Sequence, residues 1–171
     1  MLFETPRLIV RALSEQDLPE LAAMLADPAV MEYSVRGVCD EQATRRFYDW
    51  CRSSYEAHGF GPWALEEKAS GQLAGFCGIS PEQVEGQEEI NLGYRLASRF
   101  WHQGLATEAV QGVLDYALTR LGLESVVVII EPEHGASLHV AEKAGFSDYH
   151  ETEFHGRRVR VYRAGESHPA G

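Results

Sequence analysis

The feature that most constrains the fold is the uninterrupted apolar run at residues 125–130, which has the sequence SVVVII. A strand with one side in water alternates apolar and polar residues, whereas this run is apolar and β-branched at nearly every position. It therefore indicates a strand covered on both faces, and Pro132 ends it. With 171 residues, of which 44% are hydrophobic, the chain is long enough for one domain around such a strand and short for two.

Hydrophobic periodicity and turn residues predict an α/β (α+β) fold with helices on both faces of one mixed sheet. In chain order we expect a strand at 7–13, a helix at about 14–26, a helix from Asp40 to the sequence HGFGP, strands at 63–66, 72–79 and about 89–96, a helix at about 107–121, the strand at 125–130, a helix at 136–144 and two strands meeting near FHGR. The segment PEQVEGQ at 81–87 is predicted to be a polar loop. The second helix is predicted to present one face made of Ala43, Phe47, Trp50, Cys51 and Ser54.

Charge and composition argue against several classes of function. The formal net charge of −11 opposes binding to nucleic acid or to an anionic membrane. No signal peptide or bilayer-spanning stretch is recognisable, so we expect a cytoplasmic protein whose three cysteines are reduced. The seven histidines show no metal-ligand spacing, so no metal is expected. We expect a single domain at 1–163 and a disordered tail at 164–171.

A phosphate site is suggested where the helix at 107–121 begins, in the sequence RFWHQGLATEA. The first N–H groups of a helix have no partner within the helix, and the helix dipole is positive there. Gly104 and Ala106 leave the approach open, so that backbone N–H groups from His102 to Thr107 can close on an anion. A glycine at this position is also typical of a simple turn, and neither a P-loop nor a GxGxxG sequence is present.

The preceding strand, EINLGYRL at 89–96, supplies a second indication of a ligand. Apolar and polar residues alternate along it, and Gly93 lies in its middle. A glycine within a strand marks a bulge or the close approach of a ligand, and an irregular edge is the alternative.

Residues 89–109 and 131–146 together carry a family resemblance. The first segment has a GY strand that leads to WHQGLATEA, and the second has the sequence EPEHGASLHVAEKAGF. At this separation the pair resembles the GNAT superfamily of acetyl-CoA-dependent N-acetyltransferases, in particular its RimJ/RimL-like branch. The sequences ETPRLIVRAL and LADPAVMEY are similar to the usual opening of this branch. His102 stands where the branch usually has glycine, and His134 where it usually has asparagine.

The resemblance implies a GNAT fold, a mostly antiparallel sheet of about 6–7 strands whose two central strands splay apart after a bulge. Acetyl-CoA, the co-substrate, is expected in the splay, with its pantetheine along 92–96 and its pyrophosphate on the amides of 103–107. The residues implied to bind it are Leu92, Tyr94, Leu96, His102, Gln103, Gly104, Leu105, Ala106, Thr107, His134 and Ser137.

Acetylation of an amine requires a neutral amine, a polarised thioester carbonyl and a proton for the departing thiolate. Glu89 is the candidate base because it shares a strand face with Gly93; the alternative is a solvent-facing charge at the start of the strand. A bulge N–H near Tyr94 is expected to polarise the carbonyl. Ser137 matches the serine of the branch and is expected to donate to the sulfur, unless it only bonds backbone in its helix.

The acceptor is expected to be a primary amine, on a small molecule or a protein N-terminus, and the protein a monomer or homodimer. Its groove is predicted between residues 31–39 and the closing hairpin at 154–158, with Tyr33 and Trp63 as candidate lining residues. A non-catalytic acyl-CoA-binding or sensing domain of the same fold is the alternative. It is favoured by the two histidine departures and by Asn91, where the branch often has glutamate.

Overall fold

The fold is described by a computed structural model that covers residues 1–32, 34 and 37–165. Its strands are β1 (Phe3–Glu4), β2 (Leu8–Arg11), β3 (Pro62–Glu67), β4 (Leu73–Val84), β5 (Gln87–Leu96), β6 (Ser125–Ile130), β7 (Asp148–Phe154) and β8 (Arg157–Gly165). Its helices are α1 (Leu18–Leu25), α2 (Glu41–His58), α3 (Leu105–Asp115) and α4 (Gly135–Ala144). The predicted order of elements is confirmed, and the two-residue strand β1 is additional.

All eight strands form one sheet, in the order β1-β2-β3-β4-β5-β6-β8-β7. Neighbouring strands are antiparallel except β5 and β6, which are parallel. The predicted mixed, mostly antiparallel sheet is therefore confirmed, with eight strands in place of six or seven. Strand β8 continues beyond the predicted domain boundary at 163, because Ala164 and Gly165 pair with β6; residues 166–171 of the predicted tail lie outside the described part of the chain.

Helices cover both faces of the sheet. Tyr94 of β5 reaches Ser137 in α4, while the next residue, Arg95, reaches the carbonyl of Val30 just after α1. Since successive side chains of a strand point to opposite faces, α1 and α4 lie on opposite sides of β5. Helix α2 packs against α1, and α3 packs against α4. In the part of the chain that the structure describes, no helix is long and apolar enough to cross a membrane.

The polar loop predicted at 81–87 is wrong, because β4 continues through most of it and a tight hairpin turn follows. Glu85 and Gly86 form this turn with φ of 51° and 79°, the left-handed backbone that joins two antiparallel strands in two residues. Pro81 is tolerated within β4 because the pairing with β3 ends at Gly78, which leaves that edge free of ladder hydrogen bonds. The polar residues of β4 at 81–83 therefore mark an exposed edge of the strand and not a loop.

Helix α2 begins as predicted, with the carboxylate of Asp40 accepting a hydrogen bond from the N–H of Ala43 at 2.7 Å. Its buried face is rotated from the predicted one and consists of Thr44, Tyr48, Cys51 and Ser54. Trp50, predicted on the buried face, is 47% exposed. The difference arises because Phe47 and Trp50 face an open cleft, which the periodicity of the helix cannot distinguish from a packed core.

Candidate active site

The site begins where the central strands separate. Strands β5 and β6 share a single paired position, Asn91 with Val127. Beyond it β5 continues to Leu96 with β4 as its partner, while β6 remains paired with β8 along its whole length. The predicted splay of the central strands is therefore confirmed.

The bulge expected near Tyr94 is absent from the ladder between β4 and β5, every residue of which the structure describes. Pairing runs without a shift from Gly75 with Leu96 to Val84 with Gln87. The strands separate because β6 follows β8, and β5 itself is not interrupted. As a result, no described strand pairs with the β6-facing edge of 92–96 beyond the contact at Asn91. The carbonyl of Leu96 accepts from Trp101 Nε1 at 2.9 Å, and a backbone-like ligand can pair with the remaining N–H and C=O groups of this edge.

A cleft of about 400 Å³ occupies this separation. This volume lies within the range of small-molecule sites. Its walls come from α2, β4, β5, β6, the start of α4 and the hairpin between β7 and β8. The lining residues include Phe47, Trp50, Phe76, Asn91, Gly93, Tyr94, Arg95, Glu131, His134, Ser137, Phe154 and Arg157.

Three side chains form a hydrogen-bonded row along the cleft. Ser137 Oγ lies 3.1 Å from Tyr94 Oη and 3.1 Å from His134 Nε2. Ser137 is 7% exposed, so these contacts hold its hydroxyl in a fixed position. His134 immediately precedes α4, and Ser137 lies in the first turn of that helix. Two of the three predicted catalytic residues, Tyr94 and Ser137, are thus brought together.

Burial sets the protonation of this row. It raises the pKa of the Tyr94 phenol, so Tyr94 remains protonated at neutral pH. Burial also lowers the pKa of His134, and the cation of Arg95 lowers it further. Carboxylates at Glu32 and Glu131 oppose this shift without reversing it. His134 is therefore a neutral imidazole at neutral pH, able to accept a proton.

Asn91 marks the point of separation and carries an unsatisfied polar atom. Its Oδ1 is buried and has no hydrogen-bond partner among the described residues. A buried acceptor left unpaired costs about 1–3 kcal/mol, so this atom favours a ligand that donates an N–H. The amides of a pantetheine arm and the amine of an acceptor are both donors of this kind.

Glu89, the predicted base, lies outside the cleft lining. Its carboxylate is 6% exposed and is held at both oxygens by the guanidinium of Arg163, one contact being Oε1 to Nη1 at 3.1 Å. Arg163 also donates to Ser125 Oγ at 2.9 Å. The structure therefore does not bring Glu89 to Tyr94 and Ser137, and a carboxylate bound on both oxygens is disfavoured as a proton acceptor.

The predicted phosphate segment lies at the start of α3. Gly104 is the residue before the helix and has φ of 78°, and Leu105 begins the helix two residues earlier than predicted. His102 has φ of 62°, so the loop keeps a left-handed residue at the position where the branch usually has glycine. The backbone needed for an open helix N-terminus is thus present, with histidine carrying the conformational strain.

Arg7 fixes this loop from the opposite end of the sequence. Its Nη1 donates to the carbonyl of Gln103 at 2.7 Å, and its Nε donates to Glu108 Oε1 at 2.8 Å. Thr5 Oγ1 donates to the other oxygen of Glu108 at 2.6 Å. Burial alone would raise the pKa of Glu108, but these hydrogen bonds outweigh it and lower that pKa. Sequence reasoning missed this set of contacts because its members are about a hundred residues apart.

The predicted acceptor groove is found only in part. Phe154 and Arg157 of the closing hairpin line the cleft, whereas the described residues of the 31–39 segment do not. Trp63 is 2% exposed and packs edge-on against Tyr116 with ring centroids 5.5 Å apart, so it belongs to the core. Tyr33 lies outside the described residues. Among those that are described, no group of His, Cys, Asp and Glu could hold a metal ion.

Comparison with known proteins assigns the fold. Residues 7–147 match the family described as "Acetyltransferase (GNAT) domain". The uncharacterized protein YkkB of Bacillus subtilis (strain 168) is 35% identical over 142 residues, which cover 82% of each chain. Fold and family together make the protein an enzyme, an acyltransferase that uses an acyl-CoA donor. More particularly, the chain belongs to the GNAT family of N-acetyltransferases, as its motifs predict.

The solved structures that share this fold include two acetyltransferases with different names. RimL, a ribosomal alpha-N-protein acetyltransferase in complex with coenzyme A, has a TM-score of 0.76 and 18% identity, covering 96% of this chain and 97% of its own. A spermidine N-acetyltransferase from Vibrio cholerae in complex with CoA and spermine has a TM-score of 0.74 and 18% identity, covering 93% and 95%. These two enzymes are named for different acceptors, so the fold alone does not specify an acceptor.

Proposed function

We propose that the protein is a RimJ/RimL-like N-acetyltransferase that moves the acetyl group of acetyl-CoA directly to a primary amine. The observation that carries this proposal is the row of Tyr94, Ser137 and His134 beside the separation of β5 and β6. The free edge of 92–96 and Asn91 Oδ1 suit the pantetheine amides, and the open start of α3 suits the pyrophosphate. Acetyl-CoA supplies an activated acetyl group and a thiolate leaving group.

The residues of the row account for the protons of the reaction. A nitrogen–carbon bond forms and a carbon–sulfur bond breaks, and the ammonium loses two protons. The first passes to solvent before attack. We assign the second to His134, which takes it on one ring nitrogen and returns one from Nε2 to Ser137. Ser137 gives its own proton to the sulfur, so the row conducts one proton from amine to thiol.

Tyr94 and the backbone beside it supply the remaining requirements. The Tyr94 phenol is a fixed, protonated hydrogen-bond partner that orients the Ser137 hydroxyl. A backbone N–H on the unpaired edge of 92–96 can polarise the thioester carbonyl without the bulge that the sequence suggested. Glu89 is given a structural role in this proposal, because Arg163 binds its carboxylate.

The test combines binding with turnover. Acetyl-CoA at about a hundred times its Kd is expected to add roughly 2.7 kcal/mol to the free energy of unfolding. For a chain of this length that raises Tm by about 5–10 °C. An amine-panel assay of thiol release is expected to show turnover, lowered about 100-fold in S137A while acetyl-CoA protection is retained. S70A, in the exposed turn between β3 and β4, is the matched control.

The alternative sensing domain makes a different prediction. It requires protection by acetyl-CoA without thiol release from any amine, in the wild-type protein and in S137A alike. Absence of protection would refute both proposals. The acceptor is a small molecule or a protein N-terminus, and the formal net charge of −11 argues against a nucleic-acid partner. A cytoplasmic location, which also belongs to the proposal, is supported by Cys39, Cys51 and Cys77 being free thiols.

A further inference from the structure

The charge of the cleft is opposite to the charge of the chain. Among the described lining residues the only carboxylate is Glu131, and Arg157 Nη1 lies 2.7 Å from its Oε1. Arg95 is a second lining cation. The described lining residues therefore carry two guanidinium groups and one carboxylate, an excess positive charge in a protein whose formal net charge is −11. Glu32 acts on His134 without lining the cleft. An acceptor with several ammonium groups finds no free carboxylate among these residues.

Among the described residues, no carboxylate forms an ion pair with Arg95. Its Nη1 donates to the carbonyl of Val30 at 3.2 Å, a neutral partner. Its charge interacts with the Cys39 thiol, the Tyr94 phenol and the His134 imidazole, and none of these three groups is a carboxylate. Burial accordingly lowers the pKa of Arg95. A half-buried guanidinium with four remaining N–H donors suits a planar carboxylate, which it can bind through two parallel hydrogen bonds.

The position of Arg95 places this charge on the acceptor side of the cleft. Tyr94 points to the face of α4, where Ser137 and His134 are held next to the proposed thioester. Arg95 points to the opposite face, toward the end of α1. The proposed pyrophosphate segment is at the start of α3, which packs against α4. Arg95 is therefore on the other face of the sheet from the helices that would hold the donor.

An aromatic wall lies on the same side of the cleft. Phe47 and Trp50 project from α2, and the ring of Phe47 lies 4.9 Å from Phe76 and 6.1 Å from Trp50, measured between centroids. Trp50 is half exposed, so part of an apolar surface is open to solvent at the cleft. A ligand that covers these rings gains from burial of apolar area.

We propose that the acceptor is a small amine that also carries a carboxylate, an amino acid with an apolar side chain, and that Arg95 binds the carboxylate. The aromatic wall then contacts the side chain, and the amine is left to face the thioester. This inference rests on the proposed function, since it names the acceptor class of that site. A polyamine acceptor is disfavoured by the charge of the lining.

The experiment compares matched acceptors with wild-type protein. The panel contains apolar amino acids, their carboxamides and the corresponding amines without the carboxylate, together with spermidine. We expect kcat/KM to be about 10- to 100-fold higher for the amino acids than for the other two series. Calorimetric titration of each acceptor into the complex with desulfo-CoA provides a readout that does not depend on turnover. It is expected to show the same order of affinity.

Variants of Arg95 identify the group responsible. R95Q is expected to remove the preference by weakening only the amino acids, and R95K is expected to restore part of it because the charge remains. R45Q is the matched control, since Arg45 is exposed on α2 and pairs with Glu15. If R95Q does not fold, the wild-type comparison still decides the question.

The outcomes separate the two proposals. Equal turnover of amino acids, carboxamides and simple amines would overturn the carboxylate assignment while leaving the acetyltransferase intact. Protection by acetyl-CoA with turnover of spermidine alone would do the same. Loss of turnover in R95Q that is equal for all three series would also overturn it. Absence of acetyl-CoA binding would instead refute the proposed function.

Discussion

Replacement of Glu89 by glutamine tests whether this residue holds the fold or carries the chemistry. Glutamine keeps the shape and one acceptor oxygen, but its NH2 group meets the guanidinium of Arg163, and the charge of Arg163 is left uncompensated. Breaking a fully buried ion pair costs about 3–5 kcal/mol. Glu89 is 6% exposed and the Arg163 side chain 21% exposed, so we discount this for water and expect a loss of about 2–3 kcal/mol.

Urea unfolding followed by circular dichroism measures this loss. With a slope of about 2 kcal/mol per molar urea, the unfolding midpoint of E89Q is expected to fall by about 1–1.5 M. E88Q makes the same chemical change one residue away at an exposed position and is expected to shift stability by less than about 0.5 kcal/mol. Under conditions where E89Q remains folded, its turnover is expected to stay within about threefold of the wild-type value.

The reverse pattern would refute this reasoning. If E89Q has the same urea unfolding midpoint as the wild-type protein but its kcat is about 100-fold or more lower, then Glu89 is the base that the sequence suggested. The carboxylate would then have to leave Arg163 during the reaction. R163M would separate the cases further, because it removes the partner without changing Glu89.

Three other substitutions test separate parts of the structure. H102G is expected to raise Tm by about 1–2 °C in a melting experiment, because glycine adopts a φ of 62° without strain. The relief of strain is expected to outweigh the larger entropy of glycine in the unfolded chain. An unchanged or lower Tm would contradict this expectation. Burial lowers the pKa of His134 from the ordinary 6.5, so the folded protein binds fewer protons than the unfolded chain below that pH. The free energy of unfolding should therefore fall as pH drops below about 6.5 toward the folded pKa. In H134N, the part of this pH dependence that comes from His134 should be absent when the free energy of unfolding is measured by urea titration at several pH values. An unchanged pH dependence would assign it to another group. G93V is expected to leave the free energy of unfolding within about 0.5 kcal/mol, since a Cβ there meets no atom within 4 Å. Gly93 shares the strand face of Arg95, so the valine side chain would narrow the proposed acceptor side of the cleft and is expected to raise KM for the acceptor about tenfold; an unchanged KM would show that Gly93 does not face the acceptor.

Features coded by neighbouring residues were predictable from the sequence. Asp40 predicts the start of α2 because a carboxylate at that position can accept a hydrogen bond from the N–H of Ala43, and both residues belong to the same turn. The open start of α3 follows from Gly104 in the same way. The separation of β5 from β6 was predicted only through the family resemblance.

Features that depend on distant residues were not predictable. Asn91 and Arg163 both pair with Val127, from opposite sides of β6, so the Arg163 side chain reaches across that strand to Glu89. Nothing in the local sequence of Glu89 indicates a partner 74 residues away. The same holds for the face of α2, because helical periodicity gives the spacing of apolar residues but not whether they face a core or a cleft.

The contacts of Thr5 and Arg7 with Glu108 have a practical consequence for handling the protein. Thr5 is 103 positions from Glu108 in the sequence, and Arg7 is 101 positions from it. The segment that contains Thr5 and Arg7 is therefore a structural neighbour of the loop before α3. A purification tag placed directly before Thr5 would lie close to that loop. A tag placed after β8 would instead follow a strand that pairs with β6 and β7.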